Sequence, residues 1–202
     1  MAKSSQRNAL IEKYRYINVE FDNWYEPVVE SFKEDMRAVG IEVDRVYFSG
    51  FCSQGDGACF MGSLGDTRKY LDHHHADQFP MVRKLLEQGG DVYVTTSHHG
   101  NYYHQYSVTL NVESDTFWSC MEARSELQEA VIERWDEALT KEMSDLETAM
   151  TDQWRTYMAD VYRNLEEEYD YQTDDEQVWD TIEANELEED VDDDEDDYDR
   201  AA

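Results

Sequence analysis

Apolar positions along this chain follow three different spacings, and the changes fall near Gly40 and Ser119. In the first stretch Leu10, Tyr14, Ile17, Phe21, Trp24, Val28, Phe32 and Met36 recur every three or four residues, which places them on one face of a helix. Pro27 interrupts that face. The residue before a proline is pushed out of the α region, so a kink or short break is expected near Glu26. Gly40 is placed to end the helix. Core packing, rather than a partner groove, is the expected role of this face.

The second stretch reads as strands. VDRVYFSGF, residues 43–51, is rich in β-branched and aromatic residues, and CSQGDG, residues 52–57, is a turn in which Asp56 can bond local backbone. A returning strand over 58–62 would complete a hairpin. Asp66 or Thr67 caps a short helix running through DHHH, residues 72–75, and Pro80 opens a second short helix to Gln88 with Gly89 at its end. Met81, Val82, Leu85 and Leu86 form its buried side. DVYVTTS, residues 91–97, is a third strand. From Tyr102 to Glu113 the alternation is strict: Tyr102, His104, Tyr106, Val108, Leu110 and Val112 on one face, Tyr103, Gln105, Ser107, Thr109, Asn111 and Glu113 on the other. That is the mark of a half-buried antiparallel strand, expected over 103–113 and joined to its predecessor by a turn at HHGN.

The third stretch is helical again. Leu127, Val131, Trp135, Leu139, Met143, Leu146, Met150, Trp154, Met158, Val161, Leu165 and Tyr169 step by threes and fours. The spacing fits one helix of roughly 60 Å and equally two antiparallel helices with a break near Ser144 or Thr151. A last short helix is expected over 177–187. The end, EEDVDDDEDDYDRAA, cannot bury enough apolar surface to order itself. The expected architecture is therefore α+β. A four-stranded antiparallel sheet with N-terminal and inserted helices (residues 1–118) precedes an acidic helical region (119–187) and a disordered acidic tail (188–202).

Composition sharpens this in one respect. The chain is 40% hydrophobic and 13% aromatic, enough for a core, and its net charge is −31. Residues 121–202 hold 31 Asp and Glu against 6 Lys and Arg, while residues 1–120 hold 17 against 11. Such a surface repels nucleic acid and anionic membranes and attracts basic surfaces. No apolar run is long enough to cross a bilayer, and the first residues carry no apolar stretch of signal-peptide type. With three cysteines forming no even set, a cytoplasmic protein with reduced thiols is expected.

Catalytic candidates are few. SQGDGA is Gly-rich but lacks the Lys and the strand–loop–helix setting of a phosphate-binding loop. Cys52 and Cys59 do not have zinc-knuckle spacing. His73, His74 and His75 are consecutive, so on a helix at most two can reach one metal. His98 and His99 fall at a strand end, and His104 shares a face with apolar residues. No metal, no cofactor and no catalytic residue is expected. The carboxylates are the stronger signal. Duplex DNA carries one negative charge per about 1.7 Å of axis. A net −25 spread over residues 121–202 comes to one charge per ~5 Å of single helix, and ~2.5 Å if that helix folds back on itself.

The Glu/Asp-laden helices, the interleaved Trp135, Trp154, Tyr157, Tyr162 and Tyr169, and the run Glu188 to Asp199 together resemble the acidic DNA-mimic antirestriction proteins of bacteriophages, the Ocr-like group. Separately, VYFSGFCSQGDGACF at residues 46–60 is similar to a segment of uncharacterised phage proteins with an FSGF-x-SQGDGA core. The first resemblance implies an inhibitor, in the host cytoplasm and homodimeric like that group, that occupies the groove of a host DNA-binding protein. The strand-rich residues 41–113 have no counterpart in the group. The carboxylates expected to carry partner binding are Glu122, Glu126, Glu129, Glu133, Asp136, Glu137, Asp145, Glu147, Asp152, Asp160, Glu166 and Glu167. The rivals are a non-enzymatic module that binds its partner through the α+β part, and a metal-dependent hydrolase using Asp56 and histidines.

Overall fold

A computed structural model describes residues 2–20, 23–121 and 126–187, and within them the chain is α+β with one four-stranded antiparallel sheet. The elements in order are α1 (Ala2–Lys13), α2 (Glu26–Ala38), β1 (Ile41–Phe48), β2 (Ala58–Leu64), α3 (Thr67–His74), α4 (Pro80–Glu87), β3 (Val92–His98), β4 (Val108–Ser114), α5 (Phe117–Cys120), α6 (Glu126–Gln172) and α7 (Asp175–Ala184). Glu122 and the tail 188–202 lie outside the described residues. Among the described residues no helix is long and apolar enough to cross a membrane.

Two expectations change, and one that was left open is decided. Pro27 does not kink a helix; it sits in the first turn of α2, where its missing N–H costs nothing and its φ suits the turn, and the described residues between α1 and α2, 14–20 and 23–25, are turns and a bend. The long acidic segment is a single helix of 47 residues, consistent with the absence of Gly and Pro after Gly100. The last strand begins at Val108, not at residue 103. Tyr102 to Ser107 keep the alternation in sequence but fold as turns, closed by the Ser107 amide donating to the His104 carbonyl and the His99 amide to the Ser107 carbonyl, both at 2.8 Å.

The chain divides into two compact units: residues 29–163, and residues 1–28 with 164 onward. The larger unit holds the sheet, in the order β1-β2-β3-β4. Alternation sends Phe60, Val92, Val94, Val108 and Leu110, all buried, to its inner face. There the Phe60 ring packs 5.5 Å from Phe32 of α2 and 5.2 Å from Trp154 of α6. Trp154 is fully buried, as are Ile132, Leu146, Met150 and Met158 along the same helix. Burial of such side chains stabilises by ~1.5–3 kcal/mol each, so this stripe ties α6 to the strands.

Two glycines fix the geometry. Gly40 follows α2 at φ +89°, and a Cβ there would lie 2.5 Å from the Asp66 carbonyl oxygen. Gly62 faces the irregularity between Val43 and Arg45 in β1, where a Cβ would meet the Glu42 carbonyl oxygen at 2.2 Å. A backbone approach this close admits only glycine.

In the smaller unit Leu10 and Ile11 of α1 pack with Val178 and Ile182 of α7, flanked by Tyr14, Trp179 and Leu187. Arg15 ties its pieces together, donating to Glu12, to Asp175 and to the Thr173 carbonyl.

Candidate functional site

Helix α6 sorts its carboxylates into three kinds. Glu142 reaches across to α4, its two oxygens accepting from the Met81 and Val82 amides at 3.1 and 2.9 Å. Helix α4 starts from Phe79 in the left-handed region without a side-chain cap of its own, so a neighbouring helix supplies the anion its N-terminus favours. Asp136 does the same for α5, accepting from the Phe117 amide at 2.7 Å. The second kind is paired: Asp152 lies 3.7 Å from Arg155, and Asp160 pairs with Arg163. The third kind is Glu129, Glu133, Glu137, Asp145 and Glu147, all exposed, with no ion-pair partner among the described residues. Glu129, Glu133 and Glu137 are four residues apart and so form a row of like charges along the helix. Glu166 and Glu167 fall in the smaller unit, the first half-buried and the second exposed. The backbone of Glu126 begins the helix.

Of the carboxylates expected to bind a partner, the structure thus assigns Asp136 to helix capping and Asp152 and Asp160 to ion pairs. Glu142, which the spacing did not single out, joins the capping set. With 14 acidic and 4 basic residues in α6, the net charge comes to one per ~7 Å of helix, about a quarter of the duplex value. The higher density expected of a folded-back pair does not arise.

The SQGDGA loop is held from within. The Asp56 carboxylate accepts from the Ser53 and Cys52 amides at 2.6 and 3.0 Å, as expected for an Asp that organises its own turn. Asp56, His104, Gln105 and Tyr162 do line one small crevice of about 110 Å³, and the Tyr162 hydroxyl donates to the Gly50 carbonyl at 3.2 Å. Cys59 belongs to β2 rather than to the loop and is fully buried; burial pushes its thiol up to about 11, which keeps it in the unreactive form.

Within the histidine triplet, His74 and His75 are half-buried and His73 is exposed. His74 Nε2 meets the Tyr157 hydroxyl of α6 at 2.7 Å, and its ring lies 4.7 Å from Tyr70. Burial, with the neighbouring His73 and His75, pulls His74 down to about 4, so it is neutral at pH 7. His75 is also lowered, chiefly by burial. The Tyr70 hydroxyl and Trp154 indole N–H are buried close by without a completed hydrogen bond, and burial raises the Tyr70 phenol well above its ordinary range.

Where β1, β2 and the loop after β3 come together, the larger unit carries a feature that the spacing argument missed. A groove of about 420 Å³ is lined by Tyr47, Met61, His98, Gly100, Asn101 and Tyr103. One sequence signal could have found it: residues 92–112 contain no Asp, Glu, Lys or Arg, in a chain where 32% of residues are charged. That run supplies four of the six lining residues. Tyr102 and Tyr106 from the same run are among the most exposed aromatics described, at 69% and 61%.

The chain belongs to the family described as a domain of unknown function, DUF8835, which matches residues 24–175. The match takes in the sheet and α2 to α6 and leaves out α1 and all of α7 beyond its first residue. No curated protein and no solved structure matches the chain.

Proposed function

We propose that this protein is a non-enzymatic inhibitor of the DNA-mimic type, laying the acidic face of α6 into a basic groove that a DNA-binding protein otherwise offers to DNA. The observation that carries the reading is the set Glu129, Glu133, Glu137, Asp145 and Glu147: exposed carboxylates on one helix that form no ion pair among the described residues. Like charges held in a row by a helix that is itself anchored through Trp154 need no reorganisation on binding. Association would release the counterions condensed on the partner's groove and the helix, and it would be steered by the −31 net charge. At a quarter of the duplex density, α6 does not outdo DNA by charge alone. It competes through pre-organisation and through contacts that DNA lacks.

The test is a competition assay. The intact chain is added to a panel of purified DNA-binding enzymes, restriction endonucleases among them, each holding a labelled duplex. Displacement by the intact chain, and its loss when the five carboxylates are changed together to Gln or Asn, supports the reading. Equal displacement by the neutralised chain contradicts it.

A second reading is favoured by the groove and the uncharged run: the partner binds the α+β face, and α6 only scaffolds it. Substitutions at Tyr102 and Tyr106 separate the two, since they would abolish binding under this reading and leave the competition above unchanged under the first.

A further inference from the structure

The junction of α3 and α4, residues 73–79, combines crowded imidazoles with a strained backbone. The rings of His73 and His74 lie 4.6 Å apart between centroids, and those of His74 and His75 lie 6.1 Å apart. His75 Nε2 is buried without a hydrogen-bond partner, and its ring meets the Phe79 ring edge-on at 5.1 Å. Phe79 is buried and sits at φ +57°. A residue with a side chain is strained in that left-handed region and stays there only while its surroundings hold it.

The hold comes from α6, and it is neutral: the Tyr157 hydroxyl meets His74 Nε2 at 2.7 Å. The charged groups around the junction are engaged elsewhere or exposed. Arg83 of α4 donates to the His75 and Gln78 carbonyls and pairs with Asp72. Glu142 of α6 is taken up by the Met81 and Val82 amides. Asp160, about one turn beyond Tyr157, pairs with Arg163, and Asp77 of the junction itself is exposed. None of the three imidazoles forms an ion pair among the described residues.

Acid therefore adds cations here without adding counterions. Protons on His74 and His75 would place two positive charges next to each other and next to Arg83 in a half-buried site. Burial already pulls His74 down to about 4 and lowers His75, whereas a free imidazole titrates near 6.5. A state in which the junction leaves α6 and meets water takes up those protons more readily. That state gains on the closed one as pH falls from 6.5 toward 4, and it lets Phe79 return to ordinary backbone. The net charge of −31 favours the protonated ring in both states and so does not choose between them.

We propose that the α3–α4 junction is an acid-released latch: as His74 and His75 take up protons, residues 73–79 come away from α6 while the sheet stays folded. The latch stands independently of the reading of α6 as a DNA mimic.

Hydrogen exchange of the intact chain tests it, read by mass spectrometry at pH 7, 6 and 5 and corrected for the intrinsic pH dependence of amide exchange. A low-urea series at each pH separates local opening from global unfolding, because global unfolding exposes far more surface and responds far more steeply to urea. The amides of His75 and Gln78, which donate to the Leu71 and His75 carbonyls at 2.8 and 3.0 Å, are compared with those of β3 and β4. Peptides covering residues 67–87 should lose about tenfold in protection between pH 7 and pH 5 with little response to urea. At pH 5 they should exchange at least about tenfold faster than the strands. His74→Gln combined with His75→Gln should remove most of that pH dependence. In an NMR titration of the unmodified chain both imidazoles should stay neutral well below pH 6.5, and this reading needs no variant to fold. Equal protection and equal urea response in residues 67–87 and the strands, no loss of protection by pH 5, the same loss in the double variant, or both imidazoles titrating near 6.5 would overturn the latch.

Discussion

The β3–β4 hairpin and helix α6 are close in sequence and opposite in chemistry. Residues 92–112 carry no formal charge, whereas 18 of the 47 residues of α6 are charged. The hairpin satisfies its exposed face with neutral groups, for example Asn111 Nδ2 donating to Ser97 Oγ at 2.8 Å. Helix α6 buries an apolar stripe, and its carboxylates then divide into caps, ion pairs and unpartnered charges. Charge count alone therefore says little about function: Glu142 and Glu137 contribute equally to the −31 and do unrelated things. Neutrality, in so acidic a chain, is as informative as charge.

The largest effect is expected where α6 packs on the sheet that carries the hairpin. Trp154→Ala should remove the ring that packs on Phe60 of the sheet and cost about 3–5 kcal/mol, enough to unfold a marginal domain; thermal unfolding followed by circular dichroism measures it. Next comes pH. His74 is held neutral, at about 4, while in the unfolded chain it titrates near 6.5. The unfolded state binds more protons between those values. Its contribution is therefore fully present above pH 6.5 and lost as pH falls toward 4. Allowing for solvent screening of a half-buried group, unfolding free energies from urea titrations at pH 7 and pH 5 should differ by about 1–2 kcal/mol, and His74→Gln should flatten that slope. A steeper slope in the variant would show that another group is responsible.

Smaller effects sharpen the division within α6. Glu142→Ala should cost about 1 kcal/mol through the lost cap on α4. Glu137→Ala, removing the same charge, should stay within about 0.5 kcal/mol. Equal costs in urea titrations would erase the distinction between capping and unpartnered carboxylates. Any one of the unpartnered carboxylates changed singly, as in Glu129→Gln or Asp145→Asn, should weaken a partner only mildly, because a single exposed ion contact contributes about 0–1 kcal/mol.

Much of this fold is readable from local pattern. Asp66 caps α3, accepting from the Lys69 amide, Pro80 opens α4, and the alternation at 108–113 is a strand, because each signal concerns residues within one turn or one pleat of each other. Alternation failed over 102–107, where Gly100 and Asn101 did not turn tightly enough to keep Tyr102 and His104 in register, and the loop instead closed between His99 and Ser107. The candidate sites were only partly legible. Periodicity identifies the exposed face of α6 but cannot tell which carboxylate there meets another helix's N-terminus. Nor can it bring Tyr47 and Met61, from β1 and β2, beside His98 and Tyr103. Both depend on contacts between residues tens of positions apart.

The central claim, that unpartnered carboxylates on α6 occupy a basic groove, is tested most directly by salt. For an enzyme that the chain displaces from DNA, the affinity of the complex is measured by titration at 50 and 200 mM salt, with the intact chain and with the five-carboxylate variant. The account predicts a fall of at least about tenfold for the intact chain, as expected when several ion contacts are made, and little or no binding by the variant at either salt. Tight binding that does not change with salt, or that survives in the variant, would contradict it.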